Sequence, residues 1–193
     1  MFILALFASG AGSNVENIIN YFNRSKKNIT VGIVFASHPH AGVIERAQRA
    51  NVPVHVFDRN DFYHTGNIER ELQEYHVDAI VFAGFLWLAP ARLIQLFPHR
   101  ILNIHPALLP AHGGKGMYGM NVHRAVIASR ERKSGITIHE VNSEYDSGKI
   151  IFQATCSISP SDTPETLASK IHKLEYQHFP RIIEEWVNTF TDL

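Results

Sequence analysis

Asn103 and His105 close an apolar segment, Ile101–His105, and stand two residues apart. In an extended segment alternate side chains share a face. The amide and the imidazole therefore point the same way, about 6.6 Å apart along the chain. An amide donates hydrogen bonds without titrating, and an imidazole donates from both nitrogens when charged. Together they suit the negative oxygen of a tetrahedral intermediate in acyl transfer. Pro106 biases His105 toward an extended backbone, and Pro110 stiffens the exit loop. A lone histidine at a strand end is usually structural; the Asn-x-His spacing is what argues for chemistry.

Three further segments carry suggestive residue types. In "FASGAGSN", Phe7–Asn14, Gly10 and Gly12 allow a tight turn, and Ser13 with Glu16 matches a capping box opening a helix. Free amides at a helix start attract phosphate, and a glycine turn before a capped helix with no ligand is the alternative. A dinucleotide site would need glycine where Val15 stands and an acid near Ala36-Ser37-His38, so NAD is not expected; a Walker A loop is missing too. In "AGFLWLAP", Ala83–Pro90, apolar residues continue past the strand end, which suits either a flat aromatic ring in a slot or plain core. In "YDSGK", Tyr145–Lys149, Asp146 and Gly148 make a turn signal. The alternative is a carboxylate folded back on His105, raising its pKa and fixing its orientation. The glycine-rich "HGGKGMYG", His112–Gly119, is not a P-loop and reads as a flap of unassigned role.

Composition narrows the classes. A length of 193 residues fits one domain, and 45% apolar content is ordinary for a globular chain. The 18 basic and 18 acidic residues cancel, so no net field favours nucleic acid or an anionic membrane. The longest apolar run, Ala79–Ala91, is broken by Gly84 and Pro90 and is too short to span a bilayer. "MFILALFASG" lacks the basic flank and cleavage site of a secretory leader and reads as structure. The single cysteine, Cys156, excludes an internal disulfide and fits a cytoplasmic setting. Of the 12 histidines, His38 and His40 form an isolated pair without HExxH or a cysteine cluster, so no metal is expected. There is no GxSxG nucleophile elbow.

These side chains need a scaffold, and the patterning supplies one. Apolar runs Phe2–Phe7, Val31–Ala36, Val52–Phe57, Ala79–Ala83 and Ile101–His105 alternate with helical patterns over Val15–Phe22, Ala41–Ala50, Ile68–Tyr75 and Ala91–Phe97. That alternation predicts an α/β fold, a Rossmann-like open, mostly parallel sheet with helices on both faces. Ile136–Val141 and Ile150–Thr155 read as two added strands, and a long terminal helix starts at Thr163-Pro164. Pro180 is expected to kink or restart it, because it removes the bond to the Tyr176 carbonyl.

In this order the segments resemble the phosphoribosylglycinamide (glycinamide ribonucleotide) formyltransferases, from the first strand to near Trp186. "SGAGSN" is similar to their phosphate loop, which implies Gly12, Ser13 and Asn14 as phosphate contacts. "GFLWLAP" is similar to their folate segment, implying Leu86, Trp87, Leu88 and Ala89 there, with Asn103 beside them. "NIHPALLP" and "ITIHEVNSEYDSGKII" imply catalytic Asn103, His105 and Asp146, and "KLEYQHFP" implies Glu175 as a ribonucleotide contact. The implied reaction moves a formyl group from 10-formyltetrahydrofolate, a co-substrate, to the glycyl amine of 5-phosphoribosylglycinamide in purine biosynthesis. Asn103 and protonated His105 would hold the oxyanion, with Asp146 sustaining His105. The resemblance also implies one formyltransferase domain over 1–193, with residues up to near 100 binding phosphate and residues beyond catalysing and binding folate. It implies a cytoplasmic monomer or homodimer, and a cis Leu109–Pro110 bond. Trp87 and Thr65 stand where many relatives carry basic residues, with Arg59 and His64 as nearby substitutes, and the flap is longer than in many members. The rivals are a sugar-nucleotide formyltransferase, which lacks the "GSN" loop, and a non-catalytic phosphoribosyl- or folate-binding module. A methionyl-tRNA formyltransferase would carry a further C-terminal domain and a basic surface, and a deformylase an N-terminal regulatory domain.

Overall fold

β1 (Phe2–Ala8) is apolar at every position and buried at all but one, as a strand covered on both faces must be. In this computed structural model, which describes residues 1–25 and 27–191, β1 lies inside a seven-stranded sheet. Residues 26, 192 and 193 of the expected single domain lie outside the described residues. β2 (Ile29–Ala36), β3 (Val54–Val56), β4 (Ala79–Phe82) and β5 (Ile101–His105) join it in parallel. β6 (Lys133–Glu140) and β7 (Ile150–Ser157) add to the β5 edge in antiparallel fashion. The order is β3-β2-β1-β4-β5-β6-β7. It reverses between β1 and β4, where the Ser9 amide donates to the Gly84 carbonyl at 3.0 Å. Ligands of open sheets bind at such a switch point.

Six helices complete the fold: α1 (Ser13–Arg24), α2 (Val43–Arg49), α3 (Asn67–Glu74), α4 (Ala91–Leu96), α5 (Met120–Ala128) and α6 (Pro164–Thr191). α1, α2, α5 and α6 bury their apolar stripes on one face of the sheet, around Leu4, Leu6 and Phe179. α3 and α4 cover the other face over an aromatic cluster in which Phe7 stacks on Phe35 at 4.5 Å between centroids. A π-helical turn, Asp61–Thr65, was not foreseen. Arg92 stabilises it by donating to the carbonyls of Phe62 and Tyr63 at 2.6 Å each.

The expected mostly parallel sheet, two added strands and long terminal helix are the ones observed, and Leu109–Pro110 is cis. One local expectation fails, and of another the structure decides one half. The capping box does not form: Gly12, in a left-handed conformation, precedes the helix and no side chain caps it. Glu16 instead pairs with Arg46 and Arg49 on α2. Nor does the terminal helix restart at Pro180; α6 runs through it as one 28-residue element. The carbonyl that Pro180 leaves without its helical donor is taken by Asn17 Nδ2 of α1 at 3.0 Å. α5, which follows the flap, was also absent from the sequence reading.

Candidate functional site

The carboxyl ends of β1, β4 and β5 open into one cavity of about 670 Å³. Asn103 and His105, on β5, both line it, facing the same way as their spacing requires. The antiparallel ladder sets His139 opposite Asn103 and Thr137 opposite His105. Thr137 and Gln153 brace the loop beyond His105. Thr137 Oγ1 donates to the Ala107 carbonyl and accepts from the Leu109 amide, and Gln153 Nε2 reaches the Leu109 carbonyl at 3.0 Å. His105 is thereby held in a packed, 3% exposed position.

Asp146 comes back to this centre from the β6–β7 turn. Its Oδ2 lies 3.4 Å from His105 Nδ1, and its Oδ1 lies 3.7 Å from His139 Nε2. Asp146 adopts φ 54, a conformation that Asp and Asn tolerate better than most residues. Its Oδ2 also accepts the Gly114 amide at 2.9 Å, which ties the flap to the site. Of the two readings of "YDSGK", the structure thus places the carboxylate against the imidazole.

Hydrogen-bond partners fix the protons. His105 Nε2 lies 2.8 Å from the His112 carbonyl, which can only accept, so Nε2 carries hydrogen in either charge state. Nδ1, facing Asp146, is the nitrogen that titrates. In the same way His139 Nδ1 donates to the Glu140 carbonyl at 2.8 Å. Its Nε2 is free to accept from Asn103 Nδ2 at 3.0 Å. The Asn103 amide is thereby oriented, with its second N–H left for a ligand.

The charge balance corrects one expectation. Burial lowers the His105 pKa and, with the nearby His139 and His112 rings, outweighs the raising influence of Asp146 and the His112 carbonyl, so the net shift is below the ordinary value. The imidazole is not held protonated at neutral pH; it is a base with a carboxylate ready to receive its charge. Burial acts to raise the Asp146 pKa, but His139, His105 and the Gly114 amide together hold it below the ordinary carboxylate range.

One end of the cavity is formed by the turn before α1. Gly12, Ser13 and Asn14 line it, and the uncapped first turn of α1 presents its amides there. A Cβ on Gly12 would lie 2.5 Å from Val43 Cα. Glycine is therefore required there for packing against α2 as well as for φ. Glu175, from α6, is 6% exposed and accepts from Asn14 Nδ2 at 2.9 Å. Burial raises its pKa against the pull of Asn14 and His172. Asn14 Oδ1 and His123 Nδ1, both on cavity-lining residues, are buried without a hydrogen-bond partner. Such atoms suit a polar ligand.

The other end is apolar. Leu86, Trp87, Leu88 and Ala89 line it. Leu86 is exposed, whereas Ala89 is buried in the aromatic cluster, so the segment serves as both slot wall and core. Tyr63 fixes it by donating to the Leu88 carbonyl at 3.0 Å. The Arg59 guanidinium lies 5.0 Å from the Trp87 ring centroid and lines the cavity, while His64 and Thr65 do not. Leu86–Ala89 line the cavity together with residues beyond 100, such as Asn103, Asp146 and Glu175.

Every expected site residue lines this cavity. Of the two basic substitutes expected, Arg59 lines the cavity; His139, His123, His172 and Lys115 line it without having been singled out in the sequence. In "ITIHEV" His139 alternates with buried Ile136 and Ile138, and only the antiparallel register with β5 turns its face toward Asn103.

Residues 3–183 match the formyl transferase family. The chain is 42% identical over 191 residues to the chloroplastic phosphoribosylglycinamide formyltransferase of Arabidopsis thaliana, covering 94% of this chain and 65% of that protein. It is 34% identical over 185 residues to the phosphoribosylglycinamide formyltransferase of Bacillus subtilis, covering 94% and 92%. The crystal structure of the phosphoribosylglycinamide formyltransferase from Bacillus halodurans superimposes with a TM-score of 0.85 at 32% identity, covering 95% of this chain and 94% of the other. Among the described residues no helix is long and apolar enough to cross a membrane, and no group of three or more His, Cys, Asp or Glu is placed to hold a metal ion.

Proposed function

The chain belongs to the formyl transferase family, and from that premise we propose that it transfers a formyl group from 10-formyltetrahydrofolate to the glycyl amine of 5-phosphoribosylglycinamide. One observation carries the reading. A pair of groups suited to oxyanion and proton chemistry, Asn103 and His105–Asp146, lines one cavity together with a helix start beside a buried acid and an apolar aromatic slot. Phosphate and ribose suit the first end, at Gly12, Ser13, Asn14 and Glu175. A flat pteridine suits the second, at Leu86, Trp87, Leu88 and Ala89. A volume of about 670 Å³ lies within the range of small-molecule sites.

The chemistry follows from the protons. The glycyl amine attacks the formyl carbon, forming the new C–N bond and an oxyanion. The free N–H of Asn103 donates to that oxygen. His105 Nδ1, unprotonated beforehand, takes the proton from the attacking nitrogen, and Asp146 stabilises the imidazolium. The same proton then goes to the leaving nitrogen of the folate as its bond to the formyl carbon breaks. Holding both substrates in one cavity supplies much of the remaining acceleration. The protein acts as one formyltransferase domain over residues 1–193, on two small molecules, in the cytoplasm and without nucleic-acid or membrane partners.

Mixing the protein with the ribonucleotide and a 10-formylfolate and following folate absorbance tests the reading. Turnover dependent on both is expected. Binding of both without turnover would instead support the module reading, and turnover only with an amino-sugar nucleotide would support the sugar-nucleotide one.

A further inference from the structure

Among the described residues, two side chains with a permanent positive charge line the cavity, Arg59 and Lys115. Two anionic ligands enter it in the reaction proposed above: a phosphate monoester and a folate whose tail ends in carboxylates. Arg59 belongs to the slot, stacked on Trp87, which packs on the aromatic cluster of the α3–α4 face. Lys115 belongs to the other face. It lies in the flap two residues before Met117, which packs against the core under α1 and α6. That same core holds Val15, just past the glycine turn, and Val43, on which Gly12 rests.

The helix start offers amides to a phosphate but no uncommitted cation. Arg46 and Arg49, the nearest arginines on α2, are both paired with Glu16, and neither lines the cavity. His123 and His172 line that end, but histidine is not a permanent charge near neutral pH. Glu175 adds a carboxyl group, not a counter-charge. Lys115 is different. It is exposed and has no ion-pair partner among the described residues. Its perch is built for reach: Gly114 and Gly116 on either side have φ 98 and 90, with open space where a Cβ would stand. The perch is also anchored, by the Gly114 amide on Asp146 at 2.9 Å and the Met117 amide on the Gly114 carbonyl at 3.0 Å.

We propose that Lys115 is the counter-charge the flap supplies to the substrate phosphate, closing over the phosphate from the side opposite the α1 amides. The proposal rests on the ribonucleotide reading above and gives the flap a role in selecting a phosphate monoester. Because the flap also bonds Asp146, phosphate capture and catalytic geometry share one strap.

The test is steady-state kinetics of K115Q, K115R and R59Q with both substrates. A lysine–phosphate contact is a charge-assisted hydrogen bond, so K115Q raises the KM for the ribonucleotide about 10- to 100-fold. The KM for folate stays unchanged, K115R recovers most of the loss, and R59Q leaves the ribonucleotide KM at the wild-type value. Added salt raises the wild-type ribonucleotide KM and has little effect on K115Q. An unchanged ribonucleotide KM in K115Q, or a rise confined to folate, overturns the proposal. Should the wild type show no turnover, the formyl-transfer reading has failed independently. Calorimetry with ribose 5-phosphate then decides on Lys115: weaker binding by K115Q supports it, and equal binding by both proteins overturns it.

Discussion

Asp146→Asn deletes one charge and little else. The Oδ2 that accepts the Gly114 amide at 2.9 Å is replaced by an amide oxygen that accepts it equally well. The new amide nitrogen falls where Oδ1 stood, 3.7 Å from His139 Nε2, too far to compete with the Asn103 hydrogen bond to that nitrogen. Asparagine also tolerates φ 54 at least as well as aspartate. The fold and melting temperature should therefore hardly change. The charge itself matters. At 3.4 Å and an effective dielectric of 20, the attraction between the carboxylate and an imidazolium is roughly 5 kcal/mol. Burial, together with the neighbouring His139 and His112 rings, already offsets more than Asp146 and the His112 carbonyl supply, since the His105 pKa is net lowered. Removing the charge leaves burial unopposed by Asp146, so the His105 titration moves to still lower pH. The imidazolium formed during proton transfer loses its partner, and kcat falls by about 10²- to 10⁴-fold, the span of a general acid–base step. Imidazole NMR titration and pH–rate profiles of both proteins measure this. An unchanged His105 titration with full turnover would refute the coupling, and a large fall in melting temperature would show Asp146 to be structural instead.

Asn103→Ala removes one preorganised donor and should lower kcat by about 10²- to 10³-fold with both KM values little changed; a loss confined to KM would deny the oxyanion role. Leu88→Asp places an unpaired carboxylate in the apolar slot and should weaken binding of a folate analogue while sparing the ribonucleotide, as read by calorimetry; equal folate affinity would count against the slot. Burial, with His172 and His105 nearby, lowers the His123 pKa from 6.5 to about 4. The unfolded chain therefore binds that proton first, and stability present above pH 6.5 is lost as the pH falls toward 4, by about 3 kcal/mol at most. Urea unfolding of the wild type and His123→Gln at pH 7 and pH 5 checks this; equal pH slopes would contradict it.

The sheet was legible because its strands are unusually explicit. β1 reads "FILALFA" with no polar position, and the alternation with helical patterns leaves few topologies. Asn103 and His105 were legible from spacing alone, since a two-residue separation in a strand fixes a common face. Asp146 was not: its meaning depends on where the turn after β6 folds back, and turn residues look alike whether or not they carry chemistry. His139 required the antiparallel register, a long-range fact. The capping box misled because Glu16 had a better partner across space in Arg46, and Gly12 started the helix without a side-chain cap. The restart expected at Pro180 does not occur, because Asn17 of a distant helix replaces the missing donor.

The central claim is transfer within one cavity, and isotope tracing tests it most directly. The protein is mixed with a folate carrying a ¹³C-labelled formyl group and with 5-phosphoribosylglycinamide, and the label is followed by NMR. The label should appear on the glycyl nitrogen as a formamide, at a rate that collapses in Asn103→Ala. Release of the label as free formate, or its retention on the folate while both ligands are bound, would contradict the account.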